Sequence, residues 1–128
     1  MLVLIVDSSI QIIDRLEQII SEIEGITLIH RAFSYEEAKK LYRENRHAIV
    51  ILDIDLPDKG SLKFLAAIKM TENNTRIIGL FSYPDDYLFA KCKFYGVDLF
   101  IDKYYDFEKL YELPGMRCKR NNVQDKFL

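Results

Sequence analysis

The chain of 128 residues lacks glycine-rich loops, long apolar runs, paired cysteines and a surplus of either charge, and each absence removes a class of function. Its five glycines never cluster at a strand-to-helix turn, so no phosphate cradle for a nucleotide is visible. Cys92 and Cys118 show no metal-ligand spacing and are too few for a disulfide framework. Both are expected to be free thiols, with Cys92 packed in a helix. A formal charge of −2, with acids and bases interspersed, leaves no electrostatic footprint for nucleic acid or an anionic membrane. No apolar run approaches the length of a signal-peptide core or a membrane span, which points to the cytoplasm. Arg117, Lys119, Arg120 and Lys126 make the end of the chain locally basic, and this tail is read as solvated.

With 49% apolar residues, a chain of this length can bury a sheet covered by helices on both faces, and it leaves no room for a second domain. The stretch from Ala48 to Pro57 says most about what the domain does. An uninterrupted apolar run, Ala48 to Leu52, is the mark of a buried parallel strand, and it ends on Asp53. Open α/β sheets place their chemistry in the crevice beyond the strand ends, so a carboxylate there is a ligand, a base or a nucleophile. Taken alone, Asp53 is equally well read as a turn former. Other strand ends weigh against that: Leu2 to Val6 also stops on a carboxylate, Asp7, followed by Ser8. Ile77 to Ser82 and Val97 to Lys103 add a hydroxyl and a lysine to the set of strand mouths.

The remaining segments fall into the same alternation. Ile10, Ile13, Leu16, Ile20 and Ile23 recur at helical spacing up to Gly25, and Ile26 to Ala32 reads as a strand. Ser34-Tyr35-Glu36-Glu37 is a capping box that opens a helix to about Asn45. Helices are also predicted from Ser61 to about Thr71, broken by Glu72 to Thr75, from Pro84-Asp85-Asp86 to Gly96, and from about Asp106 to Leu113, stopped by Pro114-Gly115. Five strands and five helices with crossover-length connections make a doubly wound parallel sheet, strand order 2-1-3-4-5. That order brings Asp7 and Asp53 onto neighbouring strand ends and lets Lys103 reach back over strand four. Adjacent carboxylates need a cation between them, and all-oxygen ligation suits Mg²⁺. Carboxylate, divalent ion and lysine together match phosphoryl transfer, with Asp53 as covalent acceptor from a partner or small donor.

Ile5-Val6-Asp7, Leu52-Asp53-Ile54-Asp55-Leu56-Pro57 and Gly96-Val97-Asp98 leading to Lys103 closely resemble the receiver domain of two-component response regulators, over residues 1 to about 113. The resemblance implies a flavodoxin-like (CheY-like) fold and Mg²⁺-dependent transfer of phosphate from a sensor histidine kinase or phosphotransfer protein. It further implies a surface change around strand four, helix four and strand five, read by a downstream protein. Asp53 is then the phosphoacceptor, Asp7 belongs to the metal pocket, and Lys103 contacts the phosphate. Asp55 offers the metal a backbone carbonyl, and Phe100 takes the aromatic switch position. A second copy of the chain, docked through the helix four, strand five and helix five face, is a further partner.

Three positions depart from the family's pattern. Ser8 stands where a second acid is usual, and a hydroxyl is a weak Mg²⁺ ligand; the Asp55 carboxylate is close enough to replace that acid in part. The hydroxyl of the switch falls on Phe81 in an ungapped count and on Ser82 if the following loop is one residue shorter. Tyr104, not proline, follows Lys103, so a trans bond is expected there. The reading adopted is a phosphate-accepting, non-enzymatic signalling domain that acts through a partner. Its main rival is a degenerate receiver, an interaction module that no longer switches by phosphorylation; a small flavodoxin-like binding protein for another anion is a third. His30 and His47 are read as surface or boundary residues remote from the carboxylates. The surplus aromatics from Tyr83 to Tyr105 are read as part core, part protein contact, and the charges of helix two as a solvated face.

Overall fold

Apolar residues at both parities of the strands decide the architecture, because side chains alternate across a sheet and both faces must then be covered. The computed structural model describes residues 1–71 and 74–112. Cys118, the basic tail, the Pro114-Gly115 stop with the domain boundary set there, and Glu72-Asn73 of the predicted helix breaker lie outside the described residues. Strands β1 (Leu2–Val6), β2 (Leu28–Ala32), β3 (Ile49–Asp53), β4 (Arg76–Phe81) and β5 (Leu99–Asp102) alternate with helices α1 (Ile10–Ile20), α2 (Tyr35–Asn45), α3 (Ser61–Lys69) and α4 (Asp86–Phe94). A 3₁₀ helix, Phe107–Glu112, closes the series. All pairings are parallel in the order β2-β1-β3-β4-β5, the expected CheY-like arrangement.

The two parities feed two cores. Val3, Ile5, Ile49, Ile51, Ile78, Leu80 and Ile101 meet Ile13, Leu16 and Ile20 of α1 and Phe107 and Leu110 of the 3₁₀ helix. Leu4, Val6, Val50, Leu52 and Ile54 meet Tyr35, Ala38 and Tyr42 of α2, Phe64, Leu65 and Ile68 of α3, and Cys92 of α4. β3 is buried along its whole length, so it is the strand that carries most apolar burial, at about 1.5–3 kcal/mol for each fully buried Leu, Ile or Val. Helix starts follow their caps: Ser9, Ser34 and Asp85 each accept an N–H three residues on, from Ile12, Glu37 and Leu88. The Glu37 carboxylate returns to the N–H of Phe33, one residue before the cap.

Several boundaries differ from the sequence reading. α1 ends at Ile20, with the N–H of Ser21 turning back to Glu17 and Ile19, and Ile23 is buried beyond the helix rather than within it. β2 begins at Leu28, two residues late, and β5 at Leu99, because Asp98 exchanges two bonds with Ile77 that close the ladder: its N–H donates to the Ile77 carbonyl and its Oδ2 accepts the Ile77 N–H, both at 2.8 Å. The last helix is 3₁₀, not α. Its buried residues Phe107 and Leu110 are three apart, which a three-residue period places on one side. The reading of His47 as a surface or boundary residue also fails. Its imidazole is fully buried, stacked on Tyr42 with Nε2 at 2.9 Å from Nδ1 of the part-buried His30.

Candidate functional site

Asp7, Asp53 and Lys103 converge at the C-terminal end of the sheet, each placed by the end of a strand. Asp53 is the last residue of β3, Asp7 follows β1 and Lys103 follows β5. All three are buried, at 0%, 7% and 6% exposure respectively, so their charges must be compensated locally. Lys103 Nζ lies 2.6 Å from Asp53 Oδ2 and 2.8 Å from Asp7 Oδ2. The contact with Asp53 is a directed hydrogen bond; the contact with Asp7 is an ion pair by distance, and among the described residues no group makes a directed hydrogen bond to Asp7 Oδ2.

One local device aims both carboxylates. Asp7 Oδ1 accepts the N–H of Ser9 at 2.8 Å, and Asp53 Oδ1 accepts the N–H of Asp55 at 2.7 Å, in each case two residues along. The second oxygen of each is thereby turned to the lysine. Burial pushes the Asp7 carboxyl above its ordinary value, against the pull of Lys103 and the Ser9 N–H. Burial works to lower Lys103, but its hydrogen bond to Asp53 and its pairing with Asp7 outweigh this and hold the ammonium above its usual range. Two carboxylates around one ammonium leave the cluster one negative charge in excess, an arrangement receptive to a hard cation.

The other predicted site residues are spread around this cluster. Ser8 is exposed between Asp7 and the α1 cap. The Asp55 side chain is exposed and paired with Lys59 Nζ at 3.0 Å, so its carboxylate is not among the groups that converge. Among the described residues, no three His, Cys, Asp or Glu side chains gather as a metal cage. Lys103–Tyr104 is trans, as expected.

A family model described as the response regulator receiver domain matches residues 3–113. The chain belongs to this family. Among solved structures, it is similar to the CheX–CheY–BeF₃–Mg²⁺ complex from Borrelia burgdorferi, with 29% identity over 99% of this chain and 89% of that one and a TM-score of 0.75. The response regulator domain of Thermotoga maritima CheB shares 24% identity over 83% and 80%, with a TM-score of 0.70. A CheY-like receiver domain protein from Methanospirillum hungatei JF-1 shares 22% over 98% and 91%, with a TM-score of 0.76. The last two are likenesses of fold. Receiver domains are signalling modules, and no helix among the described residues of this one is long and apolar enough to cross a membrane.

Beside the carboxylates, this receiver carries a run of rings. Phe81, the last residue of β4, meets Phe89 of α4 edge-on with centroids 4.9 Å apart, and Phe89 stacks on Phe100 of β5 at 4.6 Å. Phe100 lies over Gly79, its partner in the ladder, where an added Cβ would come within 3.0 Å of its ring. Ser82 is half-buried just past the strand. Sequence reasoning singled out Phe81 and Phe100 but not Phe89 as the ring between them; its position three residues after the Asp86 start of α4 was the available signal. It also passed over Tyr35, read only as part of a capping box. Tyr35 follows the mouth of β2, on the same end of the sheet as Asp53, and its hydroxyl bonds the Asp53 carbonyl.

Proposed function

We propose that this receiver accepts a phosphoryl group on Asp53 with Mg²⁺ bound, from a histidine kinase or phosphotransfer protein, and signals by contact with another protein. The observation that carries the reading is the buried triad in which Lys103 bridges Asp53 and Asp7 at 2.6 and 2.8 Å. The donor set fits the cation: the carboxylates of Asp7 and Asp53 and the backbone carbonyl of Asp55 are hard oxygen ligands, and among the described residues the buried Asp7 Oδ2 has the Lys103 ammonium against it at 2.8 Å and no directed hydrogen bond. When bound, Mg²⁺ supplies charge neutralisation on the transferring oxygens. The chain's own groups do the rest. An Asp53 oxygen attacks phosphorus, the P–N bond to the donor imidazole breaks, and that nitrogen keeps the electron pair. Lys103 stays protonated and transfers its pairing from the Asp53 carboxylate to the phosphoryl oxygens. Asp7, turned by the Ser9 N–H, remains the fixed negative group.

The output surface is the side of α4 and β5. α4 buries only Cys92 among its residues, and Tyr83, Tyr87, Phe94 and Tyr105 are exposed nearby, an apolar excess of the kind that marks contact with a partner or with a second copy. The stacked Phe81, Phe89 and Phe100 favour a second reading for the output alone, in which the rings hold one conformation and the domain acts as an interaction module. Treatment with a small phosphodonor and Mg²⁺, read by intact mass, tests the first reading. The wild type gains one phosphoryl mass and Asp53→Asn gains none. Equal labelling of the two, or none of the wild type, refutes it.

A further inference from the structure

One phenolic oxygen holds both ends of the segment that starts at Asp53. The Tyr35 hydroxyl donates to the Asp53 carbonyl at 2.5 Å and accepts the N–H of Leu56 at 2.9 Å. A phenol has one proton to give and lone pairs to receive, so a single side chain satisfies a backbone acceptor and a backbone donor three residues apart. Two further links tie Tyr35 to the same loop. Its own N–H donates to Asp58 Oδ2 at 3.0 Å, and its ring lies so close to Gly60 that a Cβ there would stand 3.4 Å from it. Tyr35 is the first residue of α2, so the clamp is anchored on a rigid element packed in the core, not on the loop itself.

We infer that the Tyr35 hydroxyl is a positioning group for the acceptor loop: it fixes the backbone from Asp53 to Leu56, and with it the Asp55 carbonyl offered to the cation. The inference rests on the Mg²⁺-dependent reading of Asp53 given above. A buried tyrosine hydroxyl that merely satisfies its bonds is the alternative, and the molecule contains its own control. Tyr42 lies two turns along the same helix, is equally buried at 3% exposure, and shares its hydroxyl with Thr71 and Thr75 at 3.2 and 2.8 Å, at the other end of the sheet. Removing either hydroxyl takes away hydrogen bonds, buried ones at Tyr35 and part-buried ones at Tyr42, but only Tyr35 touches the loop.

The experiment compares Tyr35→Phe and Tyr42→Phe in the full chain, with Mg²⁺ alone as the probe and backbone amide shifts as the readout. Both variants lower the urea midpoint. Tyr35→Phe weakens Mg²⁺ binding by about fivefold or more, of the size expected from one lost hydrogen bond, while Tyr42→Phe leaves it unchanged. In the metal-free wild type the Leu56 amide exchanges slowly with solvent deuterium, and Tyr35→Phe speeds it. Unchanged Mg²⁺ affinity in Tyr35→Phe, equal weakening in Tyr42→Phe, or a fast Leu56 amide in the wild type overturns the inference and leaves the reading of Asp53 intact. A wild type that binds no Mg²⁺ overturns both.

Discussion

Lowering the pH should destabilise this receiver through His47, a residue remote from the carboxylates. Its imidazole is fully buried, shares one hydrogen with His30 and has no partner for Nδ1 among the described residues, so a second proton has nowhere favourable to sit. Burial, with a smaller effect from the His30 charge, pulls its pKa down from 6.5 to about 4. A folded-state pKa below the unfolded one means that the unfolded chain takes up the proton first. The stabilisation is therefore complete above the unfolded value near 6.5, declines as pH falls, and is gone below about 4. A shift of this size is worth about 3 kcal/mol in full and about 2 kcal/mol by about pH 5, a sizeable part of the 5–15 kcal/mol typical of a domain. With a urea slope of about 1–3 kcal/mol per molar, the midpoint should fall by about 1 M between neutral pH and about pH 5. Carboxylates such as Glu17, held below its usual value by Arg31, also lose stabilising pairs in acid, so the effect is isolated by subtraction. His47→Phe keeps a flat ring against Tyr42 and removes the titration; its midpoint should fall about 1 M less than the wild type's over the same range. Parallel losses in the two proteins would show that His47 is not the neutral buried group described.

Gly79→Ala should cost about 1–3 kcal/mol in urea denaturation, because the new methyl stands 3.0 Å from both Ile54 Cγ2 and the Phe100 ring; no loss would mean that the ring leaves freely. Phe81→Thr should enlarge the amide-shift response of residues 83–101 to a phosphate mimic at Asp53, and an equal response in the wild type refutes the role given to the stacked rings. Lys103→Met leaves two buried carboxylates without their cation and should lose about 3–5 kcal/mol at neutral pH, partly recovered on adding Mg²⁺; a melting temperature equal to the wild type's contradicts the triad. Ser8→Asp should tighten Mg²⁺ binding and Asp55→Asn should weaken it, since the Asp55 carboxylate can turn from Lys59 towards the site; calorimetry that finds the second variant unchanged reduces Asp55 to a loop residue.

Strand order, the two-faced core and the meeting of Asp7, Asp53 and Lys103 were legible because each rests on pattern. Apolar runs ending on polar residues locate the strand mouths, and crossover lengths fix the winding. Helix and strand ends were less legible where side chains override periodicity. The Asp98 carboxylate takes the Ile77 N–H and delays β5, and the spacing of Phe107 and Leu110 serves a 3₁₀ turn as well as an α one. Burial of His47 was hidden for another reason. A polar residue before a strand reads as exposed unless its partner is known, and that partner, His30, lies seventeen residues away on another strand. Tyr35 was seen only for its backbone position, since periodicity has nothing to say about where a hydroxyl points.

A strand of four residues that pairs on one side only has little hold on its sheet, and β5 is such a strand. What fastens its end is Lys103, whose N–H bonds the Phe81 carbonyl at 2.9 Å while its ammonium reaches past β4 to the carboxylates of β3 and β1. Beyond its ladder to β4, the rim of the sheet is thus moored to its centre by one long side chain. Tyr104 and Tyr105, the exposed residues directly after it, turn back onto Asp102, each by its backbone N–H. A change of anion at the centre would then reach the surface through the backbone of β5, even if no ring in the interior turned.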